Sequence, residues 1–492
     1  MKDIIQWSKD FNPNQKPWLM LGKGPSFQRL HEVDIQNFFT CSLNHVVREL
    51  PVTLAHIIDI DVVKDCAEEI DLNARFLLLP YKPHVNHNPC KKTIQDFLAE
   101  MPVLQKLEKE NRLLWYNLSS SNPMGKSPVI KAVFFSAEAA LNVLAICGVK
   151  TIRSLGIDGG STYSGRFQDL NNKTLLANGH KSFNRQFEGI CETLRKNPDL
   201  LYAPYFMEAP IRVFVGTDAP QMMGVKLLEY SIKKFTPVTT IVKPLDDREI
   251  SIPREPKNRA RTGFSFSRFH IPRLCGYRGR AIYMDADMQV FTDLSKLWTW
   301  PMEQKRLLYC QQPPERKRIP QFSVMLMNCE ALLWDVHEIV RGLDDGRYTY
   351  EQLMRTFCIL ADEHKKMDLP FEWNSLEHYE EGKTCLIHYT DMPTQPWVSH
   401  ENPNGEVWYK IVKEAVQEGF ITEEELYAEI EKEHLSPELP RWVGLDNPKE
   451  FKNLIKTWIP PYKRFTGMNG FTSGMPSGIE LWWSKFKHLL KK

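Results

Sequence analysis

Apolar runs of four to six residues alternate with helix-patterned stretches through most of the chain. A chain written this way folds as α/β, with a mostly parallel sheet and helices on its faces. The first half gives strand-like runs at Trp18 to Leu21, Phe38 to Leu43, Ala55 to Ile60, Phe76 to Leu79, Leu113 to Leu118 and Thr151 to Ile157. Between the last two, Ser136 to Cys147 reads as a buried helix, with Ser136 as its cap and Gly148 as its stop. A polar stretch, helical around Phe187 to Arg195, closes this half near Pro210. The second half opens on Ile211 to Val215, then a helix over Gln221 to Lys234 and a strand over Val238 to Val242. Further strands are expected at Arg280 to Met284, Leu307 to Cys310, Val324 to Met327 and Thr384 to Tyr389. Helices are expected at Ala331 to Val340 and Tyr350 to Leu360, and an acidic, solvated one at Thr422 to His434.

Composition narrows the function classes. The 63 Lys and Arg nearly cancel the 61 Asp and Glu, leaving a formal charge of +2. No global basic field for nucleic acid is present, and none is expected as a partner. The ten cysteines form no C-x-x-C pair, and several sit in apolar runs, which predicts free thiols in a reducing compartment. No stretch nears the roughly 20 apolar residues that span a bilayer. The expected location is the cytoplasm, or the inner face of a membrane. The end of the chain, IELWWSKFKHLLKK, spaces Leu481, Trp482, Lys485, Phe486 and Leu489 helically. It fits peripheral contact with anionic lipid, and equally a docked terminal helix with its lysines in water.

The strongest chemical signal is AIYMDADMQV, residues 281–290. An apolar strand delivers Asp285 and Asp287 at its end, two residues apart and on one side. Paired hard oxygen ligands suit Mg²⁺ or Mn²⁺, and such an ion can bridge a diphosphate. His388, after the apolar run in LIHYTDMPTQPW, is the candidate third ligand. Thr217 and Asp218 end the first strand of this half, where open α/β sheets bind ligands; a helix N-cap would use the same residue types.

Residues about 211 to 400 resemble a GT-A glycosyltransferase of family 8. The matching stretches are IRVFVGTDA, GFSFSRFHIPRLCGYRGRAIYMDADMQV, SVMLMNCEALLWD and IHYTDMPTQPW. The resemblance implies Asp285, Asp287 and His388 as ligands of Mn²⁺ or Mg²⁺, and a nucleotide-diphosphate sugar, with UDP favoured, as donor. It implies Thr217, Asp218, Arg268 and Gln395 as donor-binding residues. Gln395 stands where the family has a phosphate-binding Lys, and Asp391 where it has Gly. Gln321, Ser323 and Trp373 fall in sugar- or acceptor-facing segments. The chemistry implied is retaining transfer to a saccharide, lipid-linked or protein acceptor, without a named nucleophile; Glu372 and Asn374 are the nearest catalytic candidates.

The first half resembles the domain-of-unknown-function family 115 group, with its Maf-type flagellin-modification proteins, and more distantly family 42 sialyltransferases. LMLGKGPSF, CSLN, AHIIDID and SAEAALNVLAICGVKTIRSLGIDGGSTY carry this resemblance. It implies a phosphate- or nucleotide-facing loop at Gly22, Lys23, Gly24 and Ser26, rimmed by Asn44, Asp59, Asp61 and Asp158. The expected layout is a Rossmann-like domain over 1–170, a connecting helical segment over 171–210, a GT-A domain over 211–400 and an extension over 401–492. A bifunctional enzyme with a second transferase site, a nucleotide-sugar hydrolase or pyrophosphokinase, and a carbohydrate-binding module remain open as alternatives.

Overall fold

The computed structural model describes residues 1–86, 88–122, 125, 127–132, 135–171, 181–260, 262–311 and 322–461. Gln321 and the basic-aromatic tail from Leu481 lie outside the described residues. The chain divides into two compact units. One comprises residues 1–210 with 236–239; the other comprises 211–235 and the chain from 240 onward.

The first unit is built on a parallel sheet. Its strands are β1 (Trp18–Leu21), β2 (Phe39–Leu43), β3 (Val52–His56), β4 (Ala74–Pro80), β5 (Leu113–Leu118), β6 (Thr151–Leu155) and β7 (Leu201–Pro204). Their order is β5-β4-β3-β2-β1-β6-β7, with the two-residue strands Lys2–Asp3 and Val129–Ile130 added on β5. Both faces are covered, which explains the unbroken apolar runs. In β1, Leu19 and Leu21 enter one apolar layer with Ala55, Leu77 and Leu155. Trp18 and Met20 enter the other with Cys41, Leu54 and Ile152. Strands run outward from β1 to β5, and the chain then returns to the other side of β1 to lay down β6. The order therefore reverses between β1 and β6.

Three local readings shift. The strand expected at Ala55 to Ile60 runs instead over Val52–His56, because Leu54 pairs with Cys41 and the helix Ile60–Asp65 takes the later residues. Helix α1 spans Ser136–Ile146, but the cap is made by Glu138, whose carboxylate accepts the Phe135 N–H at 2.5 Å. The segment 171–210 holds helix α2 (Gln186–Lys196) and also β7, which pairs with β6.

The second unit has a mixed sheet. Its strands are β8 (Ile211–Gly216), β9 (Thr240–Leu245), β10 (Arg280–Asp285), β11 (Met288–Val290), β12 (Leu307–Cys310), β13 (Met325–Asn328), β14 (Lys365–Leu369), β15 (Ser375–Leu376) and β16 (Leu386–His388). The main order is β9-β8-β10-β13-β12-β14, and β13 runs antiparallel to both neighbours. A small sheet, β11-β16-β15, stands apart from it. Helix α3 (Met222–Phe235) follows β8 and buries Met223, Leu227 and Tyr230. The helix expected from Ala331 begins at Val336 because Asp335 caps it, accepting from the His337 and Glu338 N–H groups. The acidic helix, Glu423–Glu431, is only half solvated: Leu426 and Ile430 are buried in an apolar cluster with Trp408 and Val412. None of the described helices is long and apolar enough to cross a membrane.

Candidate functional site

Strand β10 is buried from Ala281 to Met284, so its backbone is held rigidly and Asp285 stands at its carboxyl end. The chain bends at Ala286, which is buried, and re-enters as β11. β11 pairs antiparallel with β16 in a register that sets Met288 opposite His388. The Tyr389 N–H also donates to the Asp287 carbonyl at 2.9 Å. This pairing joins two chain segments 100 residues apart, and it brings Asp285, Asp287 and His388 together. One ligand atom from each lies within 4.8 Å of the others.

Each member is held by a second contact. Tyr283 Oη donates to Asp285 Oδ1 at 2.7 Å. His388 Nε2 is 3.1 Å from Asp287 Oδ1, and its Nδ1 is 3.0 Å from Asn374 Oδ1. An imidazole whose Nδ1–H donates to an amide oxygen keeps Nε2 for a ligand. Gln395 Nε2 donates to the Tyr389 carbonyl at 2.9 Å and to Asp287 Oδ2 at 3.2 Å. Burial pushes the Asp285 carboxyl above its usual range, against the pull of Arg268 and His388. Burial also works against a charged His388, but Asp287 and then Asp285 outweigh it and raise the imidazole. Two acids and an imidazole gathered in a poorly solvated corner offer the oxygen and nitrogen ligands that a divalent cation would take.

Arg268 is 8% exposed and sits on the turn Ser267–His270. Its Nη2 is 3.7 Å from Asp285 Oδ1, its Nη1 donates to the Phe322 carbonyl at 3.1 Å, and its guanidinium lies 4.5 Å from the Tyr283 ring centre. Nε has no hydrogen-bond partner among the described residues. Asp218 begins the turn Ala219–Gln221 without capping it through its side chain. Its Oδ1 is buried and unpartnered among the described residues, and burial, with a further push from Asp287, lifts the carboxyl to about 6. The cap reading of Asp218 therefore gives way to a carboxylate left over for something else. The buried Thr217 hydroxyl donates to the Asp218 carbonyl at 3.1 Å.

Other sequence candidates fall outside the cluster. Trp373 is 3% exposed, and Ser323 is buried just before β13. The Glu372 carbonyl accepts the Cys385 N–H, while its carboxylate makes no hydrogen bond or ion pair among the described residues. Two supports went unnamed. Tyr283 was findable, since it precedes Asp285 by two on a strand and shares its face. Asp247 was not: it lies in a polar loop, yet its carboxylate accepts the N–H groups of Phe266 at 3.1 Å and Ser267 at 2.7 Å, fixing the turn that carries Arg268.

In the first unit, the Gly22 to Ser26 loop is built differently from a phosphate cradle. The Gly22 N–H donates to the Leu155 carbonyl and the Gly24 N–H to the Gly156 carbonyl, both at 2.8 Å. Ser26 donates to Asp158 through N at 2.7 Å and Oγ at 2.6 Å, and Oγ accepts the Gly156 N–H at 2.7 Å. These groups clamp the loop after β1 to the loop after β6. Lys23, Asn44, Asp59 and Asp61 line a cavity of about 330 Å³ beside that clamp.

Residues 207–350 match the family model for glycosyl transferase family 8. The chain is 26% identical over 229 residues to Protein CDI of Arabidopsis thaliana, a match covering 42% of this chain and 82% of that protein. Among solved structures, the bifunctional glycosyltransferase WbbM overlaps at a TM-score of 0.33 and 12% identity, over 47% of this chain and 57% of that one. The glycosyltransferase GlyE of Streptococcus pneumoniae overlaps at 0.32 and 13% identity, over 43% of this chain and 64% of that one. The chain thus spans under two thirds of either structure. The galactosyltransferase LgtC overlaps at 0.30 and 9% identity, over 42% of this chain and 96% of that one. Residues 207–350 are thus similar to glycosyl transferase family 8, in a chain that is α/β in both units and has a mixed sheet in the second.

Proposed function

We propose that the second unit transfers a sugar from a nucleotide-diphosphate sugar, with UDP as the nucleotide, to a saccharide, lipid-linked or protein acceptor, with retention of configuration and a requirement for Mn²⁺ or Mg²⁺. One observation carries the reading: Asp285, Asp287 and His388 converge within 4.8 Å at the carboxyl edge of β10. Their two oxygens and one imidazole nitrogen fit a Mn²⁺-type ion, and such an ion, when bound, neutralises charge on a diphosphate leaving group.

The chain's own residues do the rest by positioning and by fixed charge. Arg268 supplies a permanent cation beside Asp285, held by Tyr283 and the Phe322 carbonyl. Its spare Nε–H is a donor for a donor-sugar or phosphate oxygen. Gln395 orients Asp287 and offers a neutral amide where the family places a cation, so more of the phosphate charge falls to the ion and Arg268. Asp218 and Thr217, at the end of β8, face the nucleoside. The ten cysteines are all free, which supports a reducing, cytoplasmic setting.

A thermal-shift screen tests the donor. UDP-sugars with Mn²⁺ raise the melting temperature, since a ligand of the native state stabilises by mass action. Equal shifts with EDTA, or with CMP- and ADP-sugars, would sink the proposal. Asn374 gives a sharper check on the metal. Asn374→Ala frees the His388 ring and lowers Mn²⁺ affinity by about 10- to 100-fold, while Asn374→Asp recovers most of it. Manganese titration followed by electron paramagnetic resonance reads both.

A further inference from the structure

The first unit has chemistry that the second does not use. Its strand order reverses between the parallel β1 and β6, and in open parallel sheets ligands bind at the carboxyl ends of the strands flanking such a reversal. The 330 Å³ cavity opens there, lined by Gly22 to Gly24 after β1 and by Gly156 to Gly159 after β6. The volume falls within the usual range of small-molecule sites.

Three features of its lining point to a ligand. The first is His45, which is 5% exposed and has no hydrogen bond on either ring nitrogen among the described residues. Asp65 Oδ2 lies 3.7 Å from Nε2, beyond hydrogen-bond reach. Burial, then Lys23 and Arg48, push the imidazole down to about 4, so it is neutral, with one donor and one acceptor unspent. The second is Lys23, which has no hydrogen bond or ion pair through its ammonium among the described residues; Nζ lies 4.8 Å from the Tyr163 ring centre. Burial and then Arg48 lower it to about 8. A buried cation that no carboxylate pairs directly is one that an anion would stabilise. The third is the N-terminus of the eleven-residue α1, whose Ser136 and Ala137 line the same cavity and add a positive dipole.

Aromatic rings lie beside these groups. Tyr163 and Phe183 lie 5.4 Å apart, with Phe135 5.6 Å from Phe183, and make an aromatic side. Asp59 and Asp61 line the cavity too. Carboxylates there repel a second anionic group and accept hydroxyls. The combination selects one phosphate, one ring and several O–H donors. We infer that the first unit holds a second small-molecule site, between the ends of β1 and β6, that binds a phosphate monoester of a polyhydroxylated ring. Lys23 and α1 meet the phosphate, His45 and the acids meet the hydroxyls, and Tyr163 covers the ring. The ring is that of a nucleoside or of a free sugar, and this inference stands independently of the donor site in the second unit.

Calorimetric titration of the full-length protein in EDTA separates the cases, with CMP, UMP, glucose 1-phosphate and inorganic phosphate as probes. One ester binds at a 1:1 ratio, in wild type and in Asp285→Asn/Asp287→Asn alike. Lys23→Met weakens it by about tenfold or more. A nucleotide response names a nucleoside site, and a response to glucose 1-phosphate alone names a sugar phosphate. Absence of saturable binding by any ester overturns the inference, as does inorganic phosphate binding as tightly as the esters. Hydrogen exchange on the wild type covers the event that Lys23→Met fails to fold. Ester-induced protection is expected at 23–24, 44–45 and 136–138, and protection confined to 217–218 and 285–288 overturns the assignment.

Discussion

Asp287→Asn lowers kcat/KM by on the order of 10³-fold while the protein keeps its melting temperature in EDTA. Asp287 is the hub of the cluster: it faces His388 at 3.1 Å, accepts from Gln395 at 3.2 Å, and its carbonyl fixes Tyr389. Asn is the same size and keeps an oxygen for Gln395, so packing survives and only the charge is lost. On the proposed reading the loss is catalytic, because neutralising leaving-group charge would carry most of the work there. Asp287→Glu does not rescue it, since one more methylene displaces the carboxylate by about 1.5 Å from a geometry set by β11 and β16. Initial rates with saturating Mn²⁺, read beside a thermal melt, give the answer. Retention of more than a tenth of wild-type activity would remove the metal cluster from the mechanism.

The second large effect is on stability, and it lies in the first unit. Gly156→Ala costs about 3 kcal/mol or more, through two causes that a control can separate. Gly156 has φ +78°, where an L side chain is strained, and an added Cβ would stand 2.2 Å from the Gly22 carbonyl oxygen. Neither backbone can yield, because the Gly22 and Gly24 N–H groups are bonded across the same gap. Gly148 has the same φ, +78°, with nothing within 4 Å of its Cβ position, so Gly148→Ala pays the strain alone, about 1 kcal/mol. Urea unfolding monitored by hydrogen exchange in β1 and β6 resolves the two. Equal costs would mean that the close approach of the loops contributes nothing.

How much of this was readable in advance depended on how many partners each feature needs. Trp18–Leu21 and Leu113–Leu118 appear at the expected residues because strands buried on both faces write themselves as continuous apolar runs. Asp285 and Asp287 are legible because a strand and its terminal acids are adjacent in the chain. Asp247 is not, and of Asn374 only its place in a candidate segment is, since each acts on residues many positions away through side-chain hydrogen bonds. The partners of Gly22, Gly24 and Ser26 in the loop after β6 are hidden for the same reason. Small residues read as room for a phosphate, but the space is taken by Gly156, and the Ser26 hydroxyl is spent on Asp158. The expected strand at Thr384 to Tyr389 shortens to Leu386–His388, because β11 offers only three residues to pair with.

The reversal of strand order has a consequence for biosynthesis. β1 pairs on one side with β2, which follows at once, and on the other with β6, whose residues lie about 130 positions later. Until β6 emerges from the ribosome, Trp18–Leu21 is an apolar sheet edge with unpaired amides. At 5–20 residues per second that window lasts roughly 7–26 s, long enough for edge-to-edge association or chaperone capture. The cavity between β1 and β6 is thus among the last features of its unit to form, and a ligand that binds there selects chains whose synthesis has passed Gln186.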